Sequence, residues 1–377
     1  MSASVVASVV LTCVWACSSS SEPASSPSCA ATEIIAAASD YSSSVVCGAP
    51  PCEIGPRTAG TDLGSDPSLA ASNGRVFFLA RSEDLLFELD PACGTPTRRI
   101  SLHQDDVAKK VNAHDVAAAP DGSLFVVLYN VPRIVVFKDG KQDGAPIDLS
   151  SYDDDKNPQA DAIRIVEVAG VPKAFVTLER LDDTQPGLRS RQASQMLRID
   201  VASRQVEARI ELAGRNPFNP MAELNGSLFL AEPGNFDSDD DPQAGIERFD
   251  TATSTTRLLV KEEDLGGSVS EVAVTEGCGV AIVAGKETAV NPTSLVTFDP
   301  ATGRVLSRAS APILATPGYD LQGLAWRSDT LYVGDRRKAA VGFQVHAFER
   351  TPGTCILHET GRGITLPQRP VALRAAR

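Results

Sequence analysis

Several things are scarce in this sequence, and each scarcity excludes something. Residues 5–16, VVASVVLTCVWA, form an uncharged apolar run of 12, well short of the roughly 20 residues that a membrane-spanning helix needs. Basic residues are outnumbered, 35 Lys and Arg against 48 Asp and Glu, for a net charge of −13. That balance opposes a nucleic-acid surface, which needs clustered cations. There are only four histidines, none of them paired at metal-ligand spacing, and no Cys-x-x-Cys. Nucleophile-elbow, phosphate-loop, zinc-protease and dinucleotide fingerprints are missing too. Helical periodicity is hard to find beyond residue 30. Apolar residues still make up 42% and charged residues 22%, so the chain has enough to build a core.

The run at 5–16 has the length of a signal-peptide h-region. It ends in Val14-Trp15-Ala16-Cys17, followed by a Ser/Pro-rich stretch too polar to pack. This resembles a bacterial lipobox, which implies lipidation at Cys17. Residues 1–16 then form the signal, 17–31 a tether and 32–377 the folded part. The expected location is the outer membrane or cell surface, with Ser18 favouring the outer membrane; a plain secretory cut near the same place is the alternative. Either way the chain is exported. Six cysteines would remain, Cys29, Cys47, Cys52, Cys93, Cys278 and Cys355, enough for up to three disulfides in an oxidising compartment. Cys47 and Cys52 flank a GAPP turn and are a candidate pair.

What recurs in the middle of the chain is a short apolar strand, a turn and another strand. An apolar residue, an acid and a small turn appear in LDPACGTP, IDVASRQV, FDTATSTT and FDPATGRV, with weaker versions at Phe137 and Phe348. The residue after the apolar one falls at 90, 138, 200, 250, 299 and 349, in steps of 48, 62, 50, 49 and 50. A fixed period of this size marks propeller blades. Ahead of each lies a strand, a tight turn and a second strand, as in SLAASNGRVFFLA and MAELNGSLFLA, where Asn-Gly is a strong hairpin signal. Each repeat therefore reads as four antiparallel strands, A to D. Six repeats occupy about 64–360. Residues 32–60 lack an A strand, and the C-terminal RPVALRAAR looks like a lone one. Joined, they complete a seventh blade and leave no open sheet edge. The predicted fold is an all-β, seven-bladed propeller closed by its C-terminal strand.

The FDPATG-type turn, the DGxLFV strand and the period near 50 resemble the YncE/YVTN-type seven-bladed propellers, here in lipoprotein form. The resemblance implies a fold and leaves the activity open, because this architecture hosts many functions.

In a propeller the D–A and B–C loops share the face on which A strands begin. Insertions at 150–162, 179–195 and 234–245 all go to that face. With the loop before blade 6 they carry the acid runs Asp153 to Asp155, Asp182 and Asp183, Asp237 with Asp239 to Asp241, and Glu262 to Asp264, twelve acids in all. Asp237, Asp239 and Asp241 have the alternate spacing of a calcium loop, although Pro242 and Arg248 stand where such a loop needs Gly and Glu. A solvated acidic loop is the simpler reading, and no cofactor beyond possible Ca2+ or another divalent cation is expected. Arg180, Arg189, Arg191 and Arg336-Arg337-Lys338 add cations to the same rim. Aligned on their turns, the A strands begin with Asp115, Asn219, Glu271 and Gln322, with Asp161 nearby and His114 before Asp115. These six should ring the mouth of the central channel. Propeller lactonases of the gluconolactonase type hold a divalent cation with such groups; ordered water at strand ends is the plainer role.

The sequence therefore points to a lipid-anchored, non-enzymatic module whose loop face binds an envelope or extracellular protein or a small polar ligand. A metal-dependent hydrolase or lactonase at the channel mouth is one alternative. A structural subunit of an envelope assembly is the other. The cysteine-bearing face should look toward the membrane.

Overall fold

A computed structural model describes residues 32–49, 53–54, 63–182, 184, 189–190, 192–235, 241–285 and 291–375. Cys17, Cys29, Cys52, Asp237 and Asp239 lie outside the described residues. Among those described, no helix is long and apolar enough to cross a membrane.

Seven antiparallel sheets form seven blades. Blade 2 shows the plan: Pro67–Ser72, Arg75–Ala80, Leu85–Leu89 and Pro96–Ser101 pair in chain order as strands A to D. Blade 1 is composite. Its A strand is Arg369–Ala375, which runs antiparallel to Ile34–Ser39, with Ile34 opposite Ala375 and Ser39 opposite Arg369. Ser44–Ala49 and Glu53–Ile54 complete it.

The repeated acid is there for a local reason. Asp200 and Asp250 end a C strand and Asp90 and Asp299 stand just past one. Each Oδ1 accepts a backbone N–H two or three residues on, from Ser203, Thr253, Ala92 and Ala301 at 2.8–2.9 Å. Such side-chain turns reverse the chain cheaply. The Asn73-Gly74 and Asn225-Gly226 turns have φ of 50°, 70°, 50° and 72°, the doubly left-handed backbone that a two-residue hairpin requires.

The D strands are less regular than the sequence implies. In blade 3, Lys141–Gln142 and Ile147–Asp148 both pair with Arg133–Lys138; in blade 7, Leu357–Glu359 and Ile364–Leu366 both pair with Phe343–Arg350. The breaks fall at residues 143–146 and 360–363, none of them buried, while Ile147, Leu357, Ile364 and Leu366 stay in the core.

The core lies between blades. Leu373 and Ala36 meet Tyr332, Val345 and Leu366 across the seam of blades 7 and 1. At that seam a Cβ on Gly334 would come within 2.2 Å of the Gln322 carbonyl and 2.8 Å of Pro370, so only glycine fits there.

Cys278, at the start of a B strand, is bonded to Cys355 in the last C–D turn, with Cα atoms 4.8 Å apart and a sequence separation of 77. Cys47 and Cys93 are also disulfide-bonded, and the Gly48 N–H donates to the Cys93 carbonyl at 3.2 Å. Closing a loop of that length restricts the unfolded chain, so Cys355→Ser should cost about 2–4 kcal/mol. Urea unfolding followed by tryptophan fluorescence would show this as a lower midpoint; an unmoved midpoint would count against it.

Candidate functional site

All seven blades contribute to one cavity of about 430 Å³ at the centre of the face where A strands begin and B strands end. Its walls include His114, Asp161, Asn219, Glu271 and Gln322, five of the six residues expected at the channel mouth. They are aimed there by a shared irregularity. A register shift falls in the A strand of every blade but the second: at Ala113/Asp115, Ala160/Ile163, Phe218/Ala222, Val269/Glu271, Leu321/Leu324 and in the closing pair at Ala37/Ala38. Bulges of this kind redirect side chains beside sites.

Asp115 does not line the cavity. The bulge turns it into the wall, where its Oδ2 accepts from the Ile163 N–H at 3.0 Å and pairs with Arg164 at 2.8 Å. Burial raises its pKa, and Arg164 opposes that. Glu271 lines the cavity but is also engaged, accepting from the Gly323 and Leu324 N–H groups at 2.8 and 2.9 Å. Gln322 accepts from Arg336 at 3.0 Å.

The most connected group is on blades 3 and 4. His114 Nδ1 lies 2.5 Å from Asp161 Oδ1, and its ring stacks on Tyr129 at 4.0 Å. The Tyr129 hydroxyl donates to Glu179 at 2.6 Å. Burial lowers the His114 pKa against the pull of Asp161, so the neutral ring carries its proton on Nδ1, facing the carboxylate. Burial, with the nearby Asp161 charge, raises Glu179 well above the usual carboxylate range.

Tyr129, Glu179 and Arg81 were not expected here. Each follows the last residue of an apolar B strand, in FVVLYN, FVTLER and FFLAR. That position shares a face with the A-strand starts, so the signal was present in the repeat.

Behind this wall sits a second acid group. Glu232, the last residue of the blade 5 B strand, is wholly buried with both carboxylate oxygens unpartnered. Glu247 beside it takes N–H bonds from Gly214 and Ala213 at 2.5 and 3.2 Å, and the Thr256 hydroxyl. A Cβ on Gly214 would fall 2.7 Å from Glu232 Cγ, so glycine makes room for the acid. Burial raises both pKa values, Glu247 to about 7.

The rim differs from expectation at two points. Arg180 is buried and pairs with Asp153 at 3.1 Å, so neither is part of a solvated charge surface. Glu262 is buried in a single helical turn, Glu262–Leu265. Arg336 packs over the Tyr41 ring at 5.4 Å. Asp241 belongs to the expected cation loop, whose other members are outside the described residues. Among the described residues no three His, Cys, Asp or Glu side chains group as metal ligands.

Fold and cavity together define a seven-bladed β-propeller with a polar central site. No family model and no curated protein matches the chain. Among solved structures it is similar to the RRP9 WD40 repeats, at TM-score 0.56 and 11% identity over 82% of this chain and 84% of that one. It is also similar to a streptogramin B lyase, at TM-score 0.52 and 12% identity over 83% and 88%. Apo AztD from Citrobacter koseri matches at TM-score 0.50 and 12% identity over 92% and 97%. These likenesses show the fold alone.

Proposed function

We propose that this protein is a non-enzymatic binding propeller that takes a small polar molecule in its central cavity. One observation carries the reading: a cavity of about 430 Å³ walled by every blade, within the size range of small-molecule sites. Glu271 and Gln322 are held by neighbours rather than poised for attack. Of the hydroxyls lining the cavity, Tyr129 donates to Glu179 and Ser270 to the Ile282 carbonyl.

The test is to screen small polar compounds by thermal shift and calorimetry against the protein and against Ser68→Trp, which fills the cavity from blade 2. Binding with a Kd below about 100 μM, lost at least tenfold in the variant, is expected. Binding unaffected by the filled cavity would move the site elsewhere.

A hydrolase is the second reading, and the 2.5 Å His114–Asp161 contact favours it, since an oriented neutral imidazole can act as a base. Turnover of a lactone or ester panel, abolished by Asn219 and Glu271 substitutions along with bound divalent metal, would establish it.

The signal-like run at 5–16 and the lipobox-like Val14-Trp15-Ala16-Cys17 are what support placing this module at the cell envelope. Thr32 Oγ1 donates to the Ala92 carbonyl in a C–D turn, on the face opposite the cavity. A tether leaving from there would hold the cavity away from the membrane. Cys17→Ser should release the protein from the membrane fraction; continued sedimentation with membranes would remove the anchor from this picture.

A further inference from the structure

Three acceptor atoms on the blade 4 and blade 5 wall are buried without a hydrogen-bond partner: Asp161 Oδ2, Asn216 Oδ1 and Asn219 Oδ1. All three residues line the central cavity, and Asp161 and Asn216 are 3% and 5% exposed. The two amides cannot be reversed. Asn216 Nδ2 donates to the Gly234 carbonyl at 2.9 Å and Asn219 Nδ2 to the His114 carbonyl at 2.8 Å, and a carbonyl accepts only from the NH2 end. The free ends are therefore oxygens. Asp161 is fixed likewise, because its other oxygen is taken by His114 Nδ1. Native proteins rarely leave one such buried acceptor unpaired, and three on one wall of one cavity call for a ligand that donates.

We propose that the central cavity binds a protonated primary amine, whose three N–H groups meet Asp161, Asn216 and Asn219. This rests on the binding reading above and names its ligand class. An ammonium offers three donors and no acceptor, matching the three acceptors of this wall; the unpartnered donors that also line the cavity, Arg81 Nε and Arg374 Nε, lie on blades 2 and 1. The Asp161 carboxylate supplies the countercharge. The rings of Tyr129 and Phe218 border the same cavity, and aromatic faces attract cations. An anion would face bare oxygens on this wall, and a neutral alcohol could satisfy only one of them.

The test is calorimetry on the unaltered protein with ethanolamine, putrescine and L-alanine. Each is set against a counterpart without ammonium N–H groups: choline, bis-trimethylated putrescine and N,N,N-trimethylalanine. N-acetylethanolamine and Ca2+ complete the panel. At least one primary amine should bind, with its trimethyl counterpart weaker by about thirtyfold. Asp161→Asn, which keeps the side-chain shape, should weaken the amine by about tenfold to a hundredfold while retaining the unaltered thermal midpoint. Equal binding of trimethyl and primary amines, an unchanged affinity in Asp161→Asn, or Ca2+ binding in place of the amine would each overturn the proposal. If a sugar or carboxylate binds instead and Ser68→Trp abolishes it, the amine assignment falls and the binding reading stands. If no small polar compound binds, both fall.

Discussion

A chain ending at Gln368 should fail to form a protease-resistant ring. The lost strand, Arg369–Ala375, supplies the A strand of blade 1 and pairs along the whole of Ile34–Ser39. Leu373 is wholly buried in the seam between blades 7 and 1. Losing that side chain alone should cost about 2–5 kcal/mol, against a total stability of about 5–15 kcal/mol for a typical domain. Removing the strand also bares an apolar sheet edge, an invitation to aggregate. Limited proteolysis and a thermal melt of the truncated chain would check this. The peptide RPVALRAAR, added in trans, should restore protection. A cooperative melt within a few degrees of the full chain would show that closure matters little.

Stability should be greatest near pH 5 and decline toward pH 8. The folded-state pKa values of Glu179, Glu232 and Glu247 lie above the ordinary carboxylate value, chiefly through burial. Between the unfolded and folded pKa the native state holds more protons, so stability falls as pH rises through that window. For Glu247, raised from 4.5 to about 7, the loss is about 3 kcal/mol. Glu232 adds to it. His346, raised by its hydrogen bond to Asp335, acts in the same direction: its contribution is present below the unfolded value of 6.5 and lost as pH climbs through the folded one. His114, lowered by burial, acts oppositely and partly offsets this. On the acid side, Asp121 is lowered to about 2 by its Ser123 hydrogen bonds and Asp200 is held low by Lys173. Their contribution is present above the unfolded value and fades as pH falls. Urea midpoints from pH 4 to 9 give the profile. Glu232→Gln should match the parent at pH 5 and exceed it at pH 8. A maximum above pH 7.5, or no gain in the variant, would count against this account.

The blade count and closure were legible because each rests on a local signal. An Asn-Gly turn and an acid-capped turn need only their own few residues, and six recurrences declare the period. The outer D strands of blades 3 and 7 were not legible as pairs of short strands, because the breaks fall at residues that are not buried and leave the core members Ile147, Leu357, Ile364 and Leu366 in place. Asn219 and Gln322 could be placed by aligning A strands. Asp115 and His114 could not be told apart that way, since a bulge moves a side chain to the other face of a strand and has no reliable sequence mark. Glu232 was harder still. Its neighbours Glu247 and Gly214 come from another strand and from the loop that joins blades 4 and 5, and burial of an acid is a property of the assembled ring.

Ile34 waits for a partner at Ala375. During synthesis almost the whole chain must therefore exist before the first strand can be completed. Pairing across so much sequence is slow to form, and until it forms the growing polypeptide has no finished first blade. The ring thus reports on its own manufacture: a product cut short by a premature stop or a nicked terminus remains open and exposed to proteases. Only a chain read through Ala375 can close.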